Sequence, residues 1–203
     1  WFGVNGVLQI AGEVGVFPQA TGLGDTLVEM TGSGFAMLSN DAPIIYTVTP
    51  TGSPNHFVGD GGVISLVEAF SSPSLANVGD TLIQLPNHNF AFISRDTYAD
   101  VGSGATLDKL LLVRPDGIPD VGVNGNGEII LGGAQAEFGN GLAEGVGASL
   151  LVSPTGGVVF GDTTTGTFYV LSGTGAFMNS STVDEISILD GALISMGSQK
   201  ALF

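Results

Sequence analysis

One stretch of this chain, Asp108–Leu131 (DKLLLVRPDGIPDVGVNGNGEIIL), is written more than once, and that recurrence limits the possible folds more than any other feature. Leu110–Val113 is a run of branched apolar residues too short for a helix. Pro115 has no N–H to give to a ladder, and Asp116-Gly117 supplies the positive φ that a reversal needs. Asn124-Gly125-Asn126-Gly127 gives a second reversal before the strand-like Glu128–Leu131. The segment Ile45–Asn55 (IYTVTPTGSPN) aligns with Leu110–Asp120, and Phe168–Gly175 is a third copy, aligning with Leu110–Gly117. Such spacing turns the fold question from a single domain to an array.

Other pieces repeat in step. Gly24-Asp25-Thr26-Leu27 and Gly79-Asp80-Thr81-Leu82 are identical, with a looser third version at Ala148–Ser153. Each precedes a tight reversal, at Thr31–Gly34, Pro86–Asn89 and Pro154–Gly157, and each reversal leads into an outgoing strand. These are hairpins with turn chemistry in every copy. Polar turns before Val7–Ile10, Val63–Leu66 and Glu128–Leu131 are read as unit openings, each followed by one strand. The expected units are therefore 1–56, 57–121, 122–177 and a compressed 178–203. In the last, Asp184–Ser195 reads as a hairpin about Asp190-Gly191. An insertion at Asp96–Asp108 lengthens the second unit.

Composition agrees with strands. The chain has 203 residues, 33 Gly and 9 Pro, with 43% apolar and 11% charged, which is neither a disordered profile nor a helical one. The expected fold class is all-β: about four antiparallel four-stranded units in a β-propeller-like array, the alternatives being a β-sandwich or β-solenoid.

Phe2-Gly3-Val4-Asn5-Gly6-Val7 and Arg114-Pro115-Asp116-Gly117-Ile118-Pro119-Asp120 resemble pieces of the delta-60-type repeat of bacterial secreted and surface propellers. In that repeat a Pro-Asp-Gly turn is followed by Asp, then Phe-Gly, then Asn-Gly. The resemblance covers short segments of three units and implies blade-like sheets in a secreted or surface protein. Val121 stands where the family has an aromatic residue.

The net charge of −15 leaves only Arg95, Lys109, Arg114 and Lys200 as fixed cations, too few for the basic stripe that nucleic acid requires. No apolar run approaches the ~18 residues of a membrane-spanning helix, so membrane insertion is not expected. With no cysteine, thiol chemistry is excluded. A start at Trp1 points to a processed secreted protein or a fragment, hence an extracellular or cell-surface location. Apolar ends at Trp1 and Phe203 would pair with each other or with a neighbour. Asn179-Ser180-Ser181 is a glycosylation sequon.

Catalytic groups are scarce. His56 and His88 fall in turns, there is no Gly-x-Ser-x-Gly elbow, and no Gly-x-Gly extends to a nucleotide-binding fingerprint. Asp96, Asp100 and Asp108 in the insertion are the carboxylates a glycosidase would need. The expected metal is Ca²⁺, with Asp116, Asp120, Asn124, Asn126 and Glu128 as hard oxygen ligands in a glycine-rich loop, although the spacing is not that of an EF-hand. The alternative at these positions is a polar turn without metal. The functional expectation is a non-catalytic, extracellular structural or adhesive repeat protein that self-assembles or meets a surface glycan. A carbohydrate-active enzyme and a phage or viral surface component are the rivals.

Overall fold

The computed structural model describes residues 17, 23–32, 34–39, 42–70, 78–97, 106–131, 146–162, 167–182, 194–195 and 201–202. It is all-β. Strands β1 (Leu23–Met30), β2 (Gly34–Ser39), β3 (Ile44–Val48) and β4 (Val63–Ser65) make the first sheet, followed by the short helix α1 (Leu66–Phe70). Strands β5 (Val78–Gln84), β6 (Phe90–Thr97), β7 (Thr106–Val113) and β8 (Glu128–Ile130) make the second. The third consists of β9 (Val146–Val152), β10 (Val158–Asp162), β11 (Thr167–Leu171) and β12 (Phe177–Thr182). A short pair, β13 (Ile194–Ser195) with β14 (Ala201–Leu202), stands apart. Each large sheet is an antiparallel meander with strands in chain order, and none closes into a barrel.

The recurrence in sequence is a recurrence of hydrogen bonds. Five turns share one pattern, in which the N–H of the first residue donates to the carbonyl four residues on and the fourth residue's N–H donates back to the first: they start at Thr49, Leu85, Arg114, Ser153 and Ser172. The fourth residue is left-handed each time: Gly52, His88, Gly117, Gly156 and Gly175 have φ between 69° and 86°. That is why glycine occupies four of these positions.

The long loops repeat as closely. In the first unit Asn55 N–H donates to Thr47, Val58 to Asn55, Gly62 to Val58, and Thr47 to Gly62, all through backbone carbonyls at 2.7–3.1 Å. At the offset that carries Ile45 onto Leu110, Asp120 donates to Leu112, Val123 to Asp120, Gly127 to Val123, and Leu112 to Gly127, at 2.8–2.9 Å. The shared Gly-Asp-Thr-Leu motif also has a structural meaning. Between Leu23 and Leu27, and again between Val78 and Leu82, the first strand advances four residues while its partner advances two, from Ser39 to Met37 and from Ser94 to Phe92. The third sheet has the same bulge between Val146 and Leu150, opposite Asp162 and Phe160. A bulge bends its strand and sharpens the local twist.

Packing explains the uninterrupted apolar runs. Phe90 and Phe92 of β6 and Leu111 and Val113 of β7 lie in one core with Met30, Leu38, Ile45, Ile64, Leu66 and Phe70 of the first unit. Their neighbours Ala91, Ile93, Leu110 and Leu112 lie in a second core with Leu150, Val158, Phe160 and Leu171 of the third sheet. The middle sheet is thus covered on both faces, and a strand buried on both faces has no polar alternate positions. First strands β1, β5 and β9 adjoin one another in order, β1 beside β5 and β5 beside β9. On the other face of the first sheet, Phe17 packs on Tyr46 with ring centroids 4.8 Å apart, in a third core with Met37 and Val48.

Three sequence expectations change here. The strand read as the opening of the second unit, Val63–Ser65, pairs with β3, and Glu128–Ile130 pairs with β7. Both are therefore outermost strands of the preceding sheet, and the packed units are offset by one strand from the repeat frame. A five-residue helix forms where composition argued against any: Ser65 Oγ accepts the Glu68 N–H at 3.5 Å, and Leu66 and Phe70, one turn apart, are buried. The insertion is not a loop at either end, since β6 and β7 pair as far as Thr97 and Thr106. The segments holding Trp1, Val7–Ile10, Asp184–Leu189 and Phe203 lie outside the described residues.

Candidate functional site

The loop from Asp116 to Glu128 was the foremost candidate, and its oxygens are engaged in holding its own shape. Asp116 Oδ1 accepts the Ile118 N–H at 3.2 Å, and its Oδ2 pairs with the Arg114 guanidinium. Asp120 Oδ1 accepts the Gly122 N–H at 3.1 Å, and Asp120 Oδ2 accepts from Asn89 Nδ2 at 2.6 Å. Asn126 Oδ1 accepts the Glu128 N–H at 3.0 Å, while Asn124 Nδ2 donates to the Glu128 carbonyl at 3.0 Å. Glu128 Oε2 meets Lys109 Nζ at 3.3 Å. Asp116, Asp120 and Asn126 each accept from the backbone two residues on, which is the Asx turn. Among the described residues there is no group of three or more His, Asp or Glu that could hold a metal ion.

The carboxylates considered for glycoside chemistry are not registered against each other. Asp96 lies opposite Leu107 in the ladder, and Asp108 opposite Arg95. Asp100 lies outside the described residues. His56 and His88 are exposed turn residues, as expected.

Sequence reasoning missed a groove. Where the loop after β3 and helix α1 meet the Pro-Asp-Gly turn of the second sheet, an open groove of about 690 Å³ is lined by the apolar Val63, Ile64 and Ile118 together with the acidic Asp60, Glu68 and Asp116. The Gly59 N–H donates to the Pro115 carbonyl at 2.7 Å and locks the two sides together. All three carboxylate residues are exposed. Asp116 has Arg114 beside it, whereas Asp60 and Glu68 have no ion-pair partner among the described residues. No single stretch of sequence could have revealed this cluster, because Asp60 and Asp116 are brought together only by the packing of one sheet on the next.

Fold and site together define an all-β protein of antiparallel four-stranded sheets packed on one another, with a groove at the joint between two of them. No protein-family model matches the chain, and no curated protein matches it. Among solved structures, the chain is similar to a protein of unknown function from Bacteroides caccae, determined at 1.35 Å, with 12% identity and a TM-score of 0.47. The match covers 83% of this chain and 49% of the other, so the chain spans about half that protein's length.

Proposed function

We propose that this chain is a non-catalytic, propeller-like β-repeat module of an extracellular or surface-exposed protein, a scaffold that holds loops in fixed relation for adhesion or assembly. The observation that carries this reading is a joint made twice. The turn at Gly117 sits against Ile64 of the preceding unit, and the turn at Gly175 sits against Ile129 and Val123 of its own preceding unit. Ile64 and Ile129 are separated by the repeat offset itself, the one that carries Ile45 onto Leu110, so successive sheets dock in the same way. The side-by-side order of β1, β5 and β9 supports blades that share an inner edge. Carboxylates and amides near these joints, such as Asp120 and Asn126, shape turns, which supports a scaffold over a catalytic cleft.

The test is incubation of the purified chain with immobilised and free polysaccharides, following retention and new reducing ends in parallel. Retention, or inertness, without new reducing ends is expected. Release of reducing ends that tracks with purified protein and disappears in Asp96→Ala would replace this reading with the glycosidase.

A further inference from the structure

We infer that the groove between the first and second sheets is a binding site for a basic peptide segment, one that places a Lys or Arg between apolar side chains. The lining combines apolar side chains, Val63, Ile64 and Ile118, with the carboxylates of Asp60, Glu68 and Asp116. A lysine or arginine side chain has the same division, an aliphatic stem with a cationic head, and lies along apolar surface while its head reaches carboxylates. The size falls within the range of roughly 300–1,000 Å³ typical of ligand pockets. Phe57, two residues before Gly59 on the same loop, is 96% exposed although the loop is fixed by the hydrogen bonds of Asn55 and Val58. An aromatic face held out in water on the loop that carries Asp60 is a second partner for a cation.

The repeat supplies an internal comparison. At the second joint, the positions aligned with Asp60, Asp116 and Phe57 are Gly125, Thr174 and Gly122. The same turns are therefore built there without counterparts of Asp60, Asp116 or Phe57, so these turns do not require them at the first joint. Charge then selects the occupant. With a net charge of −15 and two carboxylates that have no ion-pair partner among the described residues, the groove repels acidic partners and draws basic ones. This inference does not depend on the scaffold reading, since glycan turnover would overturn that reading and leave this one standing.

The test uses the full chain at physiological ionic strength and a fluorescein-labelled peptide with two lysines set between leucines in a Gly-Ser frame. Counterparts carry acetyl-lysine or glutamate. Saturable binding of the lysine peptide alone is expected. Asp60→Asn and Glu68→Gln should each weaken it about three- to five-fold, and Phe57→Ala about three-fold, as exposed ion-pair and cation–aromatic contacts do. Glu29→Gln, which removes the same charge from an exposed position of β1, should leave it unchanged. Absence of saturation, equal binding of the acetylated or glutamate peptide, or equal weakening by Glu29→Gln and Glu68→Gln would overturn the inference. Unchanged thermal midpoints in the variants keep a loss of binding distinct from a loss of fold.

Discussion

Asn89 Nδ2 donates to Asp120 Oδ2 at 2.6 Å, joining the turn between β5 and β6 to the long loop between β7 and β8. The first and third sheets have Gly34 and Gly157 at the position of Asn89, where an added Cβ would strike the carbonyl of Val48 or Leu171. Only the middle sheet admits a side chain there, and it uses it for a cross-link. Asn89 is 7% exposed, so deleting Asp120 leaves a buried amide unsatisfied, whereas deleting Asn89 leaves a half-buried carboxylate short of one donor. Asn89→Ala should cost about 1–2 kcal/mol and Asp120→Ala about 2–3 kcal/mol, since Asp120 also accepts the Gly122 N–H. Urea unfolding of both and of the double variant would show sub-additive losses if the bond couples them.

His88 occupies the left-handed position that glycine takes in four sister turns, with φ 69°. An L-residue there is strained by about 1–2 kcal/mol, partly offset because glycine is the more flexible residue when unfolded. His88→Gly should therefore stabilise the chain by about 0.5–1 kcal/mol, read as a rise in the urea midpoint with unchanged slope. Gln84 Nε2 donates to the His88 carbonyl, a backbone contact the substitution keeps.

Two neighbouring glycines should respond differently to alanine. Gly127 has φ +77°, and an added Cβ would lie 2.8 Å from the Leu112 carbonyl oxygen and 3.0 Å from the Asp120 nitrogen. Gly125 has φ +78° but open space around it. Gly125→Ala should cost about 1 kcal/mol from conformation alone, and Gly127→Ala about 2–4 kcal/mol because rigid backbone must also shift. Gly62→Ala in the first unit should match Gly127→Ala, as its Cβ would lie 2.8 Å from the Thr47 carbonyl oxygen. Urea midpoints of the three variants rank them directly.

Turn chemistry was what the sequence made legible. Pro-Asp-Gly at 115–117, Gly-Asp-Thr-Leu at 24 and 79, and the alignment of Ile45–Asn55 with Leu110–Asp120 all correspond to shared hydrogen bonds or bulges. The sheet frame was not legible, because a polar loop before Val63 is equally compatible with opening a unit or closing one. Only the pairing of Val63–Ser65 with β3 decides it. Helix α1 was hidden by its length, although Ser65 and Glu68 have the spacing of a helix start. Spacing alone does not separate the two readings of the loop acids, because Asp and Asn in glycine-rich turns serve metals and Asx turns alike, and it does not encode the hydrogen bonds they make. The groove was invisible because its acids belong to different sheets.

Calcium offers a direct check on those loop oxygens. An ion bound by Asp116, Asp120, Asn124, Asn126 and Glu128 would have to compete with the hydrogen bonds and ion pairs these side chains already make. Millimolar CaCl₂ against EDTA should therefore shift the thermal midpoint by no more than about 2 °C. Ligand excess of a hundredfold over Kd would stabilise by about 2.7 kcal/mol, a shift too large to miss. A shift of that size, abolished in Asp120→Ala, would establish the metal.

Tyr46 is expected to make the first sheet sensitive to alkaline pH. Its phenol is buried beside Phe17, and burial pushes its pKa above the ordinary value, because desolvation opposes the phenolate. In the unfolded chain the phenol ionises near the ordinary value of about 10. Between that value and the raised folded one, the unfolded state has lost its proton and the native state has kept it, so stability falls as pH rises. The contribution is complete below about pH 10. It is lost as pH climbs through the folded pKa. Thermal midpoints should thus decline above about pH 10. In Tyr46→Phe, which keeps the ring and removes the ionisable group, that decline should be shallower. An identical decline in the variant would place the alkaline sensitivity at another titratable group.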